Sequence, residues 1–328
     1  MKSAFGWKTD NDKKYEFKII YLTYKDVNDP SHNLEVEITP LIGCNMCGFK
    51  VGIDNIIRYD RNPLYKLGFP GNPILYPTPN RVRECEFSFN GITYRQNKKG
   101  KDRYLHGLVY DEAWEYDLPE IIKDSVILRA WIDFTKDSPM YESFPFKHRL
   151  IIEYILDKTG IKIMYSVDNQ DEKDLPFGFA LHPFFEKLSG DSGTFITIPA
   201  DYIMESTSDC LPTGKVLEVD KTHFDMRKPT PVGGLDIDHD YIGMKSSKPS
   251  TIAFQDKPFN LSLDTSDEFK NLSLFTPPGK RYFCMKNQTC STDAHNLYSK
   301  GYKKESGLIV VSPGSNHKGF IKYSVHFK

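Results

Sequence analysis

The stretch HRLIIEYILDKTGIKIMYSVDN, residues 148–169, alternates apolar and polar side chains on both sides of Lys158-Thr159-Gly160. A period of two residues is typical of a half-buried β-strand, so the two runs and the Gly-containing break between them predict a β-hairpin. A second hairpin is predicted in ECEFSFNGITYRQN, residues 84–97, because Asn90-Gly91 supplies the positive φ angles of a tight type I′ turn. Both segments indicate antiparallel β-structure.

The same alternation recurs along the chain, separated by turns rich in Gly, Pro, Asn and Asp. Clear runs are YEFKIIYLTYK, LEVEITPLI, SVILRAWIDF, TFITIPADYI, NLSLDTS and GLIVVSPGS. No long stretch keeps a clean helical period, so only short helices are expected, near residues 62–67 and 296–304. Strands without regular helical crossovers predict an all-β fold, a large antiparallel β-sandwich. No boundary is visible, so residues 1–328 are expected to form a single domain.

The composition excludes several classes of partner. The 328 residues include 43 Lys and Arg against 44 Asp and Glu, a formal net charge of -1. Binding to nucleic acid requires an excess of positive charge, and binding to an anionic membrane requires a polybasic block. The balanced composition offers neither, so neither partner is expected. No apolar run approaches the ~20 residues of a membrane-spanning helix. No secretory signal is readable either, and a cytoplasmic location is predicted.

Cys44 and Cys47 form a C-x-x-C motif within a β-rich run. A structural zinc site needs a second ligand pair at similar spacing, which the other cysteines do not supply. A thioredoxin-like site would lie at the start of a helix. We therefore expect the six cysteines to be packing thiols, with no metal bound.

Four polar or charged residues stand in apolar or turn-rich surroundings. Arg81 follows NPILYPTPN, His106 precedes Gly107, His182 lies within FALHPFF, and Lys286 follows the apolar run YFCM. Taken singly, a histidine in an apolar run is more often a hydrogen-bonded core residue than a catalyst. The order and spacing of the four carry more information.

That order resembles the aldose 1-epimerase (galactose mutarotase) family. The pattern is Asn-Arg, then His-Gly 25 residues later, then LHPFF, then C-x-x-x-Q-T-x-x-x-D-A-x-N, then Pro-Gly before the last strand. It begins near LEVEITPLIG, passes through GNPILYPTPNRV, FSFNGITY and LDIDHDYIG, and ends at SPGSNHKGFIKYSVHF. The resemblance therefore covers almost the whole chain.

The resemblance implies a galactose mutarotase-like supersandwich with a shallow cleft for a monosaccharide. It also implies an isomerase that interconverts the α and β anomers of free aldoses without a cofactor; the oligomeric state is left open. Matched position by position, it gives substrate-binding roles to Arg81, His106 and Asp238. Asp238-His239 reproduces an Asp-His pair of the family, and Asp236 and Asp240 are close enough to be rivals.

The reaction needs a base for the anomeric O1 hydroxyl and an acid for the ring O5. The resemblance implies that His182 is the acid and that Phe184, with Phe185 as its alternative, stacks on the apolar face of the sugar. The catalytic pair is completed by Lys286, which stands where the family has its general-base glutamate. A second departure is Ser315, where the family has the glutamate of its Pro-Gly-Glu motif.

Three outcomes remain open for Lys286. Burial and cationic neighbours depress the pKa of a lysine, so Lys286 acts as a base in the first. In the second, catalysis is lost and the cleft persists as a sugar-binding site. In the third, Lys286 pairs with an anionic substituent of the sugar. Arg81, His106, His182 and Lys286 face only Asp238 in this set, which keeps an anionic sugar open.

Overall fold

The computed structural model describes residues 4–58, 60–62, 70–98, 101–102 and 105–328, with the backbone alone at residues 98, 101 and 102. Within these ranges the chain forms 29 strands, numbered here in chain order. The strands pair antiparallel throughout their named sheets. The all-β class predicted from the alternating pattern is confirmed.

The largest sheet has ten strands. They are β11 (Glu115–Tyr116), β12 (Glu120–Ile122), β13 (Ser125–Phe134), β14 (His148–Asp157), β15 (Gly160–Asn169), β19 (Thr194–Thr197), β22 (Thr230–Pro231), β24 (Ser250–Phe254), β25 (Phe259–Thr265) and β29 (Asn316–Phe327). Their order is β11-β13-β14-β15-β29-β25-β24-β19-β22, with β12 also paired to β13.

A second sheet has eight strands. They are β6 (Ile74–Leu75), β17 (Ala180–Leu181), β18 (Phe184–Glu186), β20 (Tyr202–Ser206), β21 (Pro212–Glu218), β23 (Asp238–Ile242), β26 (Asn271–Phe275) and β27 (Tyr282–Gln288). Their order is β21-β20-β23-β26-β27-β17-β6, and β18 pairs with β27.

The remaining strands form one five-stranded sheet and three two-stranded ribbons. The five strands, in order, are β1 (Phe5–Asn11), β2 (Lys18–Tyr24), β3 (Leu34–Thr39), β4 (Asn45–Val51) and β5 (Asp54–Asn55). The ribbons are β7 (Glu86–Phe89) with β8 (Ile92–Arg95), β9 (Asn97–Lys98) with β10 (Lys101–Asp102), and β16 (Leu175–Phe177) with β28 (Ile309–Val311).

Both predicted hairpins are present. β7 and β8 join through Asn90 and Gly91, whose φ angles of 49° and 78° are those the turn requires. β14 and β15 pair as far as Asp157 opposite Gly160, so the loop has two residues, one fewer than the predicted break. Local alternation and turn chemistry were therefore sufficient to predict these ribbons.

The helices are short. Those that lie wholly within the described residues are α1 (Gly190–Gly193), α2 (Ala294–Ser299) and α3 (Lys303–Ser306), together with 3₁₀ turns at Pro30–His32, Arg83–Cys85 and Val219–Lys221. The prediction near 296–304 is confirmed, and residues 63–67 of the other prediction lie outside the described residues. α1 was not predicted, because its four residues GDSG carry no apolar period. None of the helices described is long and apolar enough to cross a membrane.

The core lies between the inner faces of the two large sheets. Phe185 of β18 meets Tyr323 of β29 edge to face, with 5.6 Å between ring centroids. Tyr76, just after β6, meets Phe134 of β13 in the same way at 5.7 Å. The same continuous apolar cluster includes buried residues of the five-stranded sheet. The architecture is the predicted sandwich.

The outer face of the eight-stranded sheet carries a second set of side chains. Successive residues of a strand point to opposite faces, so Phe184 faces away from the core side occupied by Phe185. Phe184 is paired with Cys284 of β27, and Lys286 follows two residues later on the same face. This outer face is where the polar residues singled out from the sequence converge.

The thiols of the C-x-x-C motif are packing groups, as predicted. Cys44 belongs to the main core, and Cys47 packs in a smaller cluster with Phe17, Ile19 and Tyr21. Burial raises the pKa of both thiols. Cys284 and Cys290 are buried as well, and Cys85 and Cys210 are partly exposed.

Candidate functional site

The chain from Tyr76 to Arg81 is fastened to the segment that carries His106. The His106 N–H donates to the carbonyl oxygen of Asn80 at 2.7 Å, and the Leu108 N–H donates to that of Tyr76 at 2.8 Å. Gly107, between them, has a φ angle of 72°. A Cβ atom there would lie 2.3 Å from the Tyr76 carbonyl oxygen, so the close approach of the two segments requires glycine.

His182 lies between β17 and β18 on the site face. Its N–H donates to the Pro73 carbonyl oxygen at 3.0 Å, which anchors the residue to the strand that leads into the Arg81 segment. Its ring stands perpendicular to that of His106 at 5.0 Å and stacks on Phe184 at 4.7 Å. Burial, followed by the positive charge of Lys286, lowers the pKa of both histidines well below its usual value.

Lys286 points to the same face of the sheet. Its side chain is only 4% exposed. Nζ donates to Oδ1 of Asn80 at 2.8 Å, and Nδ2 of Asn80 donates to Oε1 of Gln288 at 2.9 Å. Burial lowers the pKa of Lys286, while the carboxylates of Asp238 and Asp240 act in the opposite direction. The lysine is therefore part of the cluster and does not face the core.

The three candidate aspartates occupy different environments. Asp238 opens β23 and accepts a hydrogen bond from Nη2 of Arg81 at 3.3 Å, with both side chains about one-third exposed. Asp236 precedes the strand and is exposed. Asp240 lies on the Asp238 face but is buried, and its Oδ2 accepts from both N–H and Oγ1 of Thr292, at 3.0 and 2.7 Å. Of the two aspartates in β23, Asp238 is thus the one exposed to a ligand.

Sequence reasoning missed several residues that build this cluster. Asp293 is the main example: its N–H donates to the Arg81 carbonyl oxygen at 3.0 Å, and its Oδ1 accepts from the Arg83 N–H at 3.1 Å. Nδ2 of Asn296 donates to the same oxygen at 2.7 Å. Burial raises the pKa of Asp293. Asp293 and Asn296 belong to the D-A-x-N part of the sequence motif, and they connect the start of α2 to the Arg81 segment.

The six predicted site residues are brought together, although 205 residues separate the first of them, Arg81, from the last, Lys286. An open recess adjoins two of them, Arg81 and Asp238. It is lined by Asn80, Arg81, Ser206, Cys210, Asp238, Asp240, Ser273 and Thr292. On the other side of His182, Phe184 is followed by the Tyr282 ring at 5.4 Å, so an aromatic strip leads away from the cluster.

The donor set suits proton exchange and hydrogen bonding. Within the described ranges, no group of three or more His, Cys, Asp or Glu side chains is arranged to hold a metal ion. Arg81, Asp238 and Asn80, the hydrogen-bond partner of Lys286, line the recess, and the two uncharged imidazoles lie outside its lining. Such a site offers several donors and acceptors to a polyhydroxylated molecule and two groups able to move protons.

The comparisons with known proteins agree with this architecture. Galactose mutarotase of Sus scrofa is 25% identical over 159 residues, which are 47% of this chain and 44% of that protein, so the match spans less than half of the relative. A galactose mutarotase-like protein from Clostridium acetobutylicum superimposes with a TM-score of 0.83 at 21% identity, covering 99% of both chains. Galactose 1-epimerase from Lactobacillus acidophilus NCFM gives 0.76 at 16% identity and 98% coverage of each.

These structures confirm the galactose mutarotase-like fold predicted from the motifs. The family model described as aldose 1-epimerase matches residues 43–324, which takes in all six predicted site residues. Since that match covers most of its length, the chain belongs to the aldose 1-epimerase family.

Proposed function

We propose that this chain interconverts the α and β anomers of an uncharged monosaccharide by acid–base ring opening. The observation that carries the proposal is the convergence of His182 and Lys286, two groups able to exchange protons, with the Arg81–Asp238 pair. Membership of the aldose 1-epimerase family supports the type of reaction. The name of the Sus scrofa relative supports a hexose such as galactose as the first sugar to test.

The chemistry needs nothing beyond side chains that move protons. A base takes the proton of the anomeric O1 hydroxyl while an acid protonates O5, and the C1–O5 bond breaks to give the open-chain aldehyde. Rotation about C1–C2 presents the other face of the carbonyl, and the same two groups return the protons as the ring closes. Because the steps are redox-neutral and every proton is returned, His182 and Lys286 suffice as the exchanging pair.

The charges around the recess support an uncharged sugar. The sequence suggested a cationic cluster opposed by Asp238 alone, but Asp240 faces Lys286 as well. Both histidines are uncharged at neutral pH because their pKa values are lowered by burial. Arg81 and Lys286 are therefore balanced by Asp238 and Asp240, and the excess positive charge that would favour a phosphate or carboxylate substituent is absent from these described residues.

Sugar binding is supported by polar and aromatic groups on the rim. Arg81 and Asp238 are partly exposed and present a donor and an acceptor at the recess. Phe184 is half-buried beside His182 and offers an apolar surface to one face of a pyranose ring. A few placed polar groups beside an aromatic surface are the usual composition of a small-molecule site.

The test is anomer exchange measured by polarimetry and by saturation-transfer NMR on freshly dissolved α-D-galactose and α-D-glucose. We expect acceleration over buffer by the purified chain, lost in His182→Gln and Lys286→Met. His326→Gln, an exposed histidine on β29, is the matched control and should keep the activity.

Calorimetry on the same samples separates the alternatives. Sugar binding without exchange would overturn the proposal in favour of a binding protein. Selective binding of a sugar phosphate or uronic acid would overturn the assignment to an uncharged substrate. If the chain neither binds nor exchanges any aldose of the panel, both the enzyme hypothesis and the sugar-binding hypothesis are wrong.

A further inference from the structure

A buried carboxylate shares the site face with Lys286. In the strand register, Asp240 of β23 stands opposite Ser273 of β26, and Ser273 stands opposite Lys286 of β27. Residues directly opposite one another project to the same side of a sheet. Asp240 is 6% exposed and Lys286 is 4% exposed, so the carboxylate and the amine are both withdrawn from water.

Asp240 is held rigidly. Its Oδ2 accepts two hydrogen bonds from Thr292, one from the main chain and one from the hydroxyl group. Thr292 lies four residues beyond Gln288, the last residue of β27. The segment that follows β27, the strand of Lys286, therefore fixes the Asp240 carboxylate through the two hydrogen bonds from Thr292.

The groups that face Lys286 from each neighbouring element decide its charge. Asp238 and Asp240 come from β23, Arg81 from the segment after β6, and Cys284 from β27 itself. The remaining titratable groups are His106 and His182, which are buried and uncharged. Burial lowers the pKa of Lys286, whereas the two carboxylates, Asp238 first and Asp240 second, oppose that shift and favour the ammonium form.

The surroundings of His182 favour proton acceptance, whereas those of Lys286 favour proton donation. An uncharged imidazole accepts a proton through its unprotonated ring nitrogen, whereas an imidazolium donates one. Burial and the adjacent ammonium lower the pKa of His182, so its accepting form is present at neutral pH. The sequence had suggested His182 as the acid, and its surroundings favour the reverse.

We propose that Asp240 holds Lys286 in the ammonium form, so that Lys286 protonates the ring oxygen while His182 takes the proton of the anomeric hydroxyl. The inference rests on the proposed function. In the ring-opening direction the C1–O5 electron pair moves to O5, which receives a proton from Nζ, and O1 becomes the carbonyl oxygen as its proton passes to the imidazole. Closure on the other face returns the proton from the imidazolium to O1 and that of the O5 hydroxyl to Nζ. Asp240 is a positioning residue in this scheme.

The first experiment reads the charge of Lys286 without any sugar. The ¹⁵Nζ–H₃⁺ signal of a buried ammonium is followed against pH in the full chain and identified by its loss in Lys286→Met. We expect Asp240→Asn to lower the pH at which this signal disappears, since the Asp240 carboxylate raises the pKa of Lys286 against the effect of burial. Asp236→Asn, an exposed carboxylate before β23, should leave it unchanged. An unchanged titration in Asp240→Asn would overturn the assignment to Asp240.

The second experiment reads the direction of proton transfer from the pH dependence of kcat/KM. If Lys286 is the acid, Asp240→Asn moves the alkaline limb to lower pH and the rate at neutral pH does not rise. If an uncharged Lys286 were the base and a charged His182 the acid, the active form would be rare, and a fall of one unit in the pKa of Lys286 would raise the neutral rate about tenfold. Such a rise would overturn the proposal.

A negative result in one experiment can be distinguished from a negative result in the other. Absence of exchange for every sugar would count against the proposed function, whereas the NMR titration would still test the electrostatic effect of Asp240 on Lys286. If Asp240→Asn does not fold, the double variant Asp240→Asn/Lys286→Met decides, because it also removes the buried amine that Asp240→Asn leaves without this carboxylate. Recovery of folding supports the pairing, and no recovery contradicts it.

Discussion

Lys286 donates a hydrogen bond from Nζ to Oδ1 of Asn80 at 2.8 Å across 206 residues of sequence. The amide of Asn80 donates in turn to Gln288, so one side chain connects two residues on the same face of β27. Asn80 has a φ angle of 59°, in the left-handed region that asparagine tolerates better than most residues. One residue thus meets a backbone requirement and accepts a hydrogen bond from a buried amine.

This relationship predicts the stability of Asn80→Ala. The substitution leaves the buried Lys286 donor and the Gln288 acceptor without their partner and also places alanine in the left-handed region. Asn90→Ala is a matched control, because Asn90 is exposed at a hairpin turn with a φ angle of 49°. We expect Asn80→Ala to lower the free energy of unfolding by about 1–3 kcal/mol more than Asn90→Ala in urea denaturation. Equal losses would mean that the hydrogen bonds contribute nothing measurable.

Acid sensitivity is predicted for the core histidine of β14. His148 Nδ1 bonds the carbonyl oxygen of Phe146 and Nε2 bonds the Tyr76 hydroxyl, both at 2.7 Å, an arrangement that suits the uncharged ring. Burial lowers the pKa of His148 to about 4. The unfolded chain takes up this proton near pH 6.5, so the contribution is complete above that pH and is lost as the pH falls towards 4.

The measurement is the free energy of unfolding between pH 7.5 and 4.5 by urea denaturation. The separation of the two pKa values corresponds to about 3 kcal/mol, so stability should fall by up to about that amount from this group alone. His148→Gln should show a shallower pH dependence, whatever its stability at pH 7. His326→Gln, on the surface, should keep the wild-type slope. A slope unchanged in His148→Gln would contradict the assignment.

Local patterns explain how much of the fold was predictable. The ribbon of β14 and β15 follows from alternation and a turn, both of which lie within one stretch of sequence. The pairing of β23 with β26 and of β26 with β27 is not encoded locally, because each strand is apolar enough to pair with several others. The sandwich was predictable as a class, and the order of its strands was not.

The same distinction applies to the site. Arg81, His106, His182 and Lys286 could be found because each belongs to a short motif. Asp240 was only a rival of Asp238, since its position beside Lys286 depends on the register of two intervening strand pairs. The expected cationic excess was therefore wrong for these residues: the second carboxylate that balances it is brought in by tertiary structure.

Thiol modification is predicted to report on the recess. Cys85 and Cys210 are the partly exposed cysteines, whereas the other four are buried. Cys210 lines the recess with Arg81 and Asp238, and burial together with the Asp238 carboxylate raises the pKa of its thiol. N-ethylmaleimide should therefore inhibit anomer exchange, more slowly at pH 7 than at pH 9, because the thiolate is the reacting species.

Two variants show which cysteine is responsible for inhibition by N-ethylmaleimide. Cys210→Ser should be protected from inhibition, whereas Cys85→Ser should be inhibited like the wild type. Peptide mapping by mass spectrometry should locate the label. Inhibition that persists in Cys210→Ser would show that the recess is not where the reagent acts.

Replacing Lys286 by glutamate tests how the charges of the site depend on one another. Lys286→Glu places a third carboxylate beside Asp238 and Asp240 on one face, where like charges destabilise the ionised forms. We expect Lys286→Glu to be less stable than the wild type. Adding Asp240→Asn should recover about 0.5–3 kcal/mol of unfolding free energy, the usual range for directly coupled sites. Adding Asp236→Asn should recover nothing, because that carboxylate is exposed and precedes the strand.

In the double variant Lys286→Glu/Asp240→Asn we expect the acid and base roles to be exchanged, with Glu at position 286 as the base and His182 as the acid. Loss of the ammonium removes the charge that lowers the pKa of His182, and the new carboxylate raises that pKa further, so the imidazolium becomes accessible at higher pH. Any exchange activity of this variant should therefore peak at lower pH than that of the wild type, since it now requires a charged His182. A pH profile that coincides with the wild-type profile would mean that residue 286 does not take part in proton transfer.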